Sequence, residues 1–158
     1  MLNRLTELRE KRARGENGFT LIELLVVVVI IGILIAIAIP LYLNYKKGAN
    51  DKATQSDLRG AISALETCNS DNGVYPTAPA TLSGALTGCP NQTVTQSSGT
   101  KLAYFPSPDA SSYLLAGTNS SGNMTGGTSG YYCYSSVTGG SVKKFSTATP
   151  TAYAAACS

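Results

Sequence analysis

From Phe19 to Leu43 the chain carries a single charged side chain, Glu23, and from Leu24 to Ile39 it carries none. An unbroken aliphatic run of this kind has no polar face, so it reads as a helix that is apolar all round. Beyond Lys46 the pattern changes. Ala49, Ala53, Leu58, Ala61, Ile62 and Leu65 recur at steps of three and four, the period of a helix with one face against a sheet. Together these stretches predict one helix from Phe19 to about Cys68, about 75 Å long at 1.5 Å per residue. The turn formers Asn69-Ser70-Asp71-Asn72-Gly73 stop it, with Gly73 free to take a positive φ. Residues 78–99, rich in Thr, Ser, Ala and Gly, read as a connection. Four β-prone runs follow, Lys101–Phe105, Ser112–Ala116, Tyr131–Ser135 and Ser141–Phe145, each bounded by Gly, Ser, Asn or Pro as in an antiparallel meander. Leu102, Tyr104, Tyr113, Leu115, Tyr132 and Tyr134 are the core candidates, and Gly122–Gly130 reads as a flexible hairpin tip.

The 158 residues suffice for one domain with an appendage. With Phe19–Ile22 and Leu41–Leu43 added, the aliphatic run reaches the roughly 20 residues that a bilayer requires. Arg4, Arg9, Lys11, Arg12 and Arg14 precede the run, and Lys46, Lys47 and Lys52 follow it. That bias keeps the N-terminus in the cytoplasm and sends the C-terminal part across. Ala36-Ile37-Ala38 has the small residues of a signal-peptidase site, but Ile37, Ile39 and Pro40 surround it and Glu23 stands near the start of the core. Pro40 and Gly32 are the two helix breakers within the run. Proline removes one backbone hydrogen bond and crowds the preceding turn.

Glu23 is the residue hardest to assign to simple anchoring. A carboxylate in hydrocarbon costs about 2.5–3.5 kcal/mol at a helix centre and less near an end, so it calls for a partner. Its setting, a basic leader followed by Gly18-Phe19-Thr20-Leu21-Ile22-Glu23 and the aliphatic run, resembles the type IV pilins and the similar pseudopilins of type II secretion and DNA-uptake machines. The string Asp71-Asn72-Gly73-Val74-Tyr75-Pro76, after the long helix, is similar to the corresponding stretch of the same proteins and carries the resemblance to about residue 77. One departure is that Glu16-Asn17 precede Gly18, where the family commonly has a basic residue.

The resemblance implies cleavage between Gly18 and Phe19 by a membrane prepilin peptidase, N-methylation of Phe19, and assembly into a helical homopolymer through the N-terminal helices. Glu23 would neutralise the Phe19 amino group of a neighbouring subunit and set the register. The stretch around Gly32 and Pro40 would lose helicity in the filament. An assembly ATPase, a platform membrane protein and minor pilins would be partners, with membrane lipid holding the subunit before assembly. The precursor would sit in the cytoplasmic membrane and the product in a surface filament serving adhesion, twitching or DNA uptake. Cys133–Cys157 would close the C-terminal loop found in many pilins, which leaves Cys68–Cys89. By themselves the four cysteines at 68, 89, 133 and 157, all beyond the apolar run, indicate disulfides in an oxidising compartment and allow three connectivities.

Other chemistry is largely excluded. Without histidine, Ser-His-Asp and Cys-His systems are absent and a zinc site is not expected. Asp51 and Asp57 read as a solvated helix face, and no carboxylate side chain follows Asp109 to build the calcium loop of some secretion pseudopilins. No cofactor is expected. Tyr131-Tyr132 and Tyr134 with Lys143 and Lys144 match a stacking surface for DNA, although sheet packing accounts for most of the nine tyrosines. Three N-glycosylation triplets begin at Asn91, Asn119 and Asn123.

The expectation is an α+β pilin fold, a long N-terminal helix on a C-terminal antiparallel sheet, with no enzymatic activity. It divides into a leader at 1–18, a membrane and filament-core helix at 19–45, an amphipathic helix at 46–72 and a head at 73–158. The alternatives are a pseudopilin and a signal-anchored surface-binding protein that never polymerises.

Overall fold

The computed structural model describes residues 19–78, 80–146, 150, 153 and 157. The leader, including Gly18, lies outside the described residues. The chain divides into two compact units, Met1–Tyr42 and Leu43–Ser158.

Helix α1 runs over Leu21–Asn72 and passes without a break through Gly32 and Pro40. The proline leaves the Ala36 carbonyl without its N–H donor four residues on. In the first unit every large apolar side chain of the helix is exposed, from Leu21 at 84% to Ile31 at 48%. About half exposure is what a lone helix leaves its own side chains, so the helix here packs on nothing else within its unit. The helix continues past the expected end near Cys68 through Asn69-Ser70-Asp71-Asn72 and stops only at Gly73. Gly73 adopts φ 75° and donates its N–H to the Asn69 carbonyl at 2.7 Å, an αL closure that favours glycine.

The second unit is a sheet packed on the amphipathic half of α1. Strands β1 (Ala80–Thr81), β4 (Thr100–Pro106), β5 (Tyr113–Asn119), β6 (Tyr131–Ser135) and β7 (Lys143–Phe145) form an antiparallel sheet in the order β1-β4-β5-β6-β7. A separate hairpin pairs β2 (Gly84–Leu86) with β3 (Cys89–Val94). Residues 78–99 are therefore not a plain connection. The hairpin escapes sequence patterning because Cys-Pro-Asn-Gln-Thr-Val does not alternate cleanly, and the Cys68–Cys89 disulfide ties it to the helix.

The sheet has two apolar faces. Leu102, Tyr104, Tyr113, Leu115 and Tyr132 join Leu58, Ala61, Leu65 and Cys68 of the helix in the main core. Alternate residues Leu114, Ala116, Tyr131 and Cys133 form a second layer on the opposite face with Phe105, Phe145, Tyr153 and Cys157. Cys133 and Cys157 are bonded, so Cys157 is stapled against that layer. Covering both faces explains why β5 is buried along nearly its whole length, at hydrophobic positions of both parities.

The helix face turned to the sheet includes the expected Leu58, Ala61 and Leu65, with Ile62 packed against it, but not Ala49. Asp51, Thr54, Leu58, Ala61, Ala64, Leu65 and Cys68 are buried, while Ala49 is exposed and Ala53 half-buried. Gly117 is the reason this register works. A Cβ there would stand 2.9 Å from Leu58 Cδ1 and 3.0 Å from Thr54 Cγ2, so β5 approaches the helix where it has no side chain.

Candidate functional site

The one carboxylate of the apolar segment has a local partner. Thr20 stands immediately before α1, and its backbone N–H and its hydroxyl both donate to Glu23 Oε2, at 2.8 and 2.7 Å. Glu23 in turn donates its N–H to Thr20 Oγ1 at 3.3 Å. This reciprocal pair is a capping box, which satisfies two of the helix's otherwise unpartnered N–H groups. The signal was in the sequence: Thr20 followed three residues later by Glu23, directly ahead of an apolar run. It assigns Glu23 a second task, fixing the helix start. Phe19 lies one residue outside the cap and is 83% exposed.

From Leu24 onward the helix surface is aliphatic on all sides, and α1 is long and apolar enough to cross a membrane, with none of its most apolar stretch buried. The site is thus a charged, capped helix end followed by a greasy cylinder. A surface of that kind buries itself against hydrocarbon or against copies of itself. Gly32 adds no side chain to the cylinder, and nothing lies within 4 Å of where its Cβ would be.

Three acids of the second unit, Asp51, Asp57 and Glu66, serve the fold. Asp51 is buried, which corrects the reading of a solvated face. It accepts Asn123 N–H at 2.8 Å, Asn123 Nδ2 at 2.7 Å and Met124 N–H at 3.3 Å. Those bonds hold the β5–β6 connection on the helix, with Asn50 Nδ2 donating to the Ser121 carbonyl at 2.9 Å beside them. The connection expected to be a flexible tip therefore begins as a clamped turn, and it buries Met124. Asp57 accepts the N–H and hydroxyl of Ser97 at 2.7 and 3.0 Å. Glu66 accepts the hydroxyls of Tyr75 and Tyr113 at 2.9 and 2.8 Å. Burial first, and then the bond to Glu66, pushes the Tyr75 phenol up to about 12. Nothing in sequence spacing joins Asp51 to Asn123 or Asp57 to Ser97, because the partners lie in loops far along the chain.

The tyrosines divide in the same way. Tyr75, Tyr104 and Tyr134 pack edge-on or tilted around Tyr113 at centroid distances of 4.8 to 5.9 Å. Tyr131 stacks on Phe145, and both Tyr131 and Tyr132 are buried. Sheet packing holds them, so they offer no face to a base. Among the glycosylation triplets, Asn119 is buried with its amide donating to Ser98 and Thr100, and Asn123 is engaged by Asp51. Among the described residues no cluster of His, Cys, Asp and Glu has the makings of a metal site.

Comparison with known proteins bears on the helix. The prokaryotic N-terminal methylation motif matches residues 13–39. The type II secretion system core protein G of Vibrio cholerae is 39% identical over 77 residues, 49% of this chain and 53% of that protein. The type IV wide pilus major component PilA4 of Thermus thermophilus is 44% identical over 69 residues, 44% of this chain and 53% of that protein. The type IV major fimbrial protein FimA of Dichelobacter nodosus is 51% identical over 53 residues, 34% of each chain. The chain spans about half the length, or less, of the curated relatives it matches. Pilins and pseudopilins are structural proteins and not enzymes. With the methylation motif over the capped helix end, these relatives and a helix-on-sheet fold, the chain is similar to the type IV pilins and the type II secretion pseudopilins.

Proposed function

We propose that this chain is a filament subunit of the type IV pilus class, most simply a major pilin. Its precursor spans the cytoplasmic membrane with residues 1–18 in the cytoplasm and is held by lipid around the apolar part of α1. A prepilin peptidase cuts between Gly18 and Phe19, and Phe19 is N-methylated. An assembly ATPase and a platform membrane protein then move the subunit into a helical homopolymer, with minor pilins as accessory subunits. The observation that carries this reading is the exposed aliphatic cylinder with one carboxylate at its start. In the polymer, residues 19–43 pack against their copies and Glu23 pairs with the Phe19 amine of a neighbour. A buried charge left alone is costly, and the pair offsets that cost only in one axial register. Packing in the filament takes up the weak point at Gly32 and Pro40 by local loss of helix. Filament activity would be mechanical: adhesion, twitching or DNA uptake.

A pseudopilin is the second reading, favoured by the secretion core proteins among the relatives. The absence of carboxylate side chains after Asp109 argues for the pilin, since the resemblance places a calcium loop there in some secretion pseudopilins. The test is N-terminal sequencing and intact mass of protein sheared from cell surfaces. Abundant chains that begin at methylated Phe19 support the pilin. Processed chains confined to the envelope support the pseudopilin, and chains that retain residues 1–18 overturn both.

A further inference from the structure

Three consecutive side chains mark the end of the apolar run. Tyr45 is 76% exposed, and Lys46 and Lys47 beside it are exposed as well. Consecutive helix residues point about 100° apart, so the phenol and the two ammonium groups make a collar around the helix and not a stripe along it. Asp51, one turn beyond Lys47, already uses both carboxylate oxygens on Asn123 and Met124. Neither lysine forms an ion pair among the described residues, and the collar lies just ahead of the first buried residue of α1.

Its position along the chain matches a bilayer boundary. Between Glu23 and Lys46 lie 22 residues, close to the roughly 20 that a bilayer requires. The hydrocarbon core is about 30 Å thick, and the headgroup layers continue beyond it on each side. With Glu23 near one boundary, the collar falls at the other. A tyrosine ring suits that depth because one end is apolar and the other polar, and lysines there attract anionic headgroups.

We propose that Tyr45, Lys46 and Lys47 form a binding collar for anionic phospholipid headgroups in the leaflet opposite the leader. The phenol sits at the boundary between acyl chains and headgroups, and the two ammonium groups sit against lipid phosphates. This rests on the membrane-spanning precursor proposed above. It adds a lipid class and a set of residues to that reading, and it implies that the collar gives up lipid when the subunit leaves the membrane.

The test uses the full chain reconstituted into mixed phosphatidylcholine and phosphatidylglycerol vesicles, with insertion checked by resistance to alkaline extraction. Spin-labelled lipids of each class then report which lipid occupies the protein boundary. The expected result is a preference for phosphatidylglycerol of about fivefold or more. Replacing both lysines (Lys46→Gln with Lys47→Gln) brings the preference close to one while insertion is unchanged, and Tyr45→Ala lowers it partly. An inserted chain without preference, or a preference that survives the double replacement, overturns the collar alone. A chain that enters neither vesicle overturns the membrane reading and the collar with it.

Discussion

Ile30 and Leu58 lie on one helix and are alike in kind, yet Ile30 is 51% exposed and Leu58 is fully buried. The first unit holds aliphatic side chains that nothing in its own unit covers. The second covers its helix face with a sheet, packs Tyr153 and the disulfide-bonded Cys157 on the far side of that sheet, and partners Asp51 and Asp57 with loop N–H groups. The difference separates two sources of order. The second unit carries its own core, whereas the first has to find its core in its surroundings, in lipid or in other subunits. Burying one such side chain is worth about 1.5–3 kcal/mol, so a cylinder of them has a strong drive to be covered.

Substitution should expose that contrast most sharply in the core. Leu58→Ala removes a side chain packed beside Gly117, and it should lower the unfolding free energy of the second unit by about 2–5 kcal/mol. Ile30→Ala should leave the same transition within about 0.5 kcal/mol, as exposed substitutions do. Denaturant melts of the full chain in detergent, followed by tyrosine circular dichroism, would check both; equal effects would abolish the distinction.

Opening the C-terminal staple is the next largest step. Cys133 and Cys157 lie 24 positions apart, and replacing both by Ser should cost about 3 kcal/mol by the loop-entropy argument. The same melts measure it, with no change expected in membrane insertion.

The Asp51 clamp should contribute less. Asp51→Ala strips the acceptors from three donors, at a cost of about 1–3 kcal/mol. Amide exchange should speed up at Asn123 and Met124 first, while Asp51→Asn keeps part of the bonding. Slow exchange at both positions in the alanine variant would show that the loop holds itself.

The smallest effect concerns pH. The Tyr75 phenol titrates near 12 in the folded chain against 10.0 ordinarily. A raised phenol contributes stability that is whole below pH 10 and is lost as the pH climbs through about 12. Melts between pH 9 and 12 should therefore show a decline that Tyr75→Phe reduces, and an equal decline in that variant would assign the loss to other groups.

Much of this architecture is legible from periodicity. The long helix, its stop at Asn72-Gly73, and the strands around Leu102, Tyr113 and Tyr132 all follow from spacing and turn formers. What escapes does so for physical reasons. The β2–β3 hairpin has weak alternation and relies on a cross-link to Cys68. The extension of β5 through Gly117-Thr118-Asn119 looks like a turn in sequence. In the fold, Gly117 makes room for Leu58 and buried Asn119 bonds to Thr100. Asp51 looks like a surface charge until a loop 72 residues away meets it. At the helix start the opposite occurs. The capping box is local and readable, but a more conspicuous role for Glu23 masks it.

The capping bonds, together with the pairing proposed for the same carboxylate, make Glu23→Gln the most direct test. Glutamine keeps the capping geometry, since a capping box accepts either residue, and removes only the charge. If the charge pairs with the Phe19 amine of a neighbour, its loss should cost about 3–5 kcal/mol per contact. The filament yield from sheared cells should then fall by more than about 100-fold, with processing, insertion and the melt of the second unit unchanged. Normal filament yield from the glutamine chain would contradict the pairing and reduce Glu23 to a helix cap.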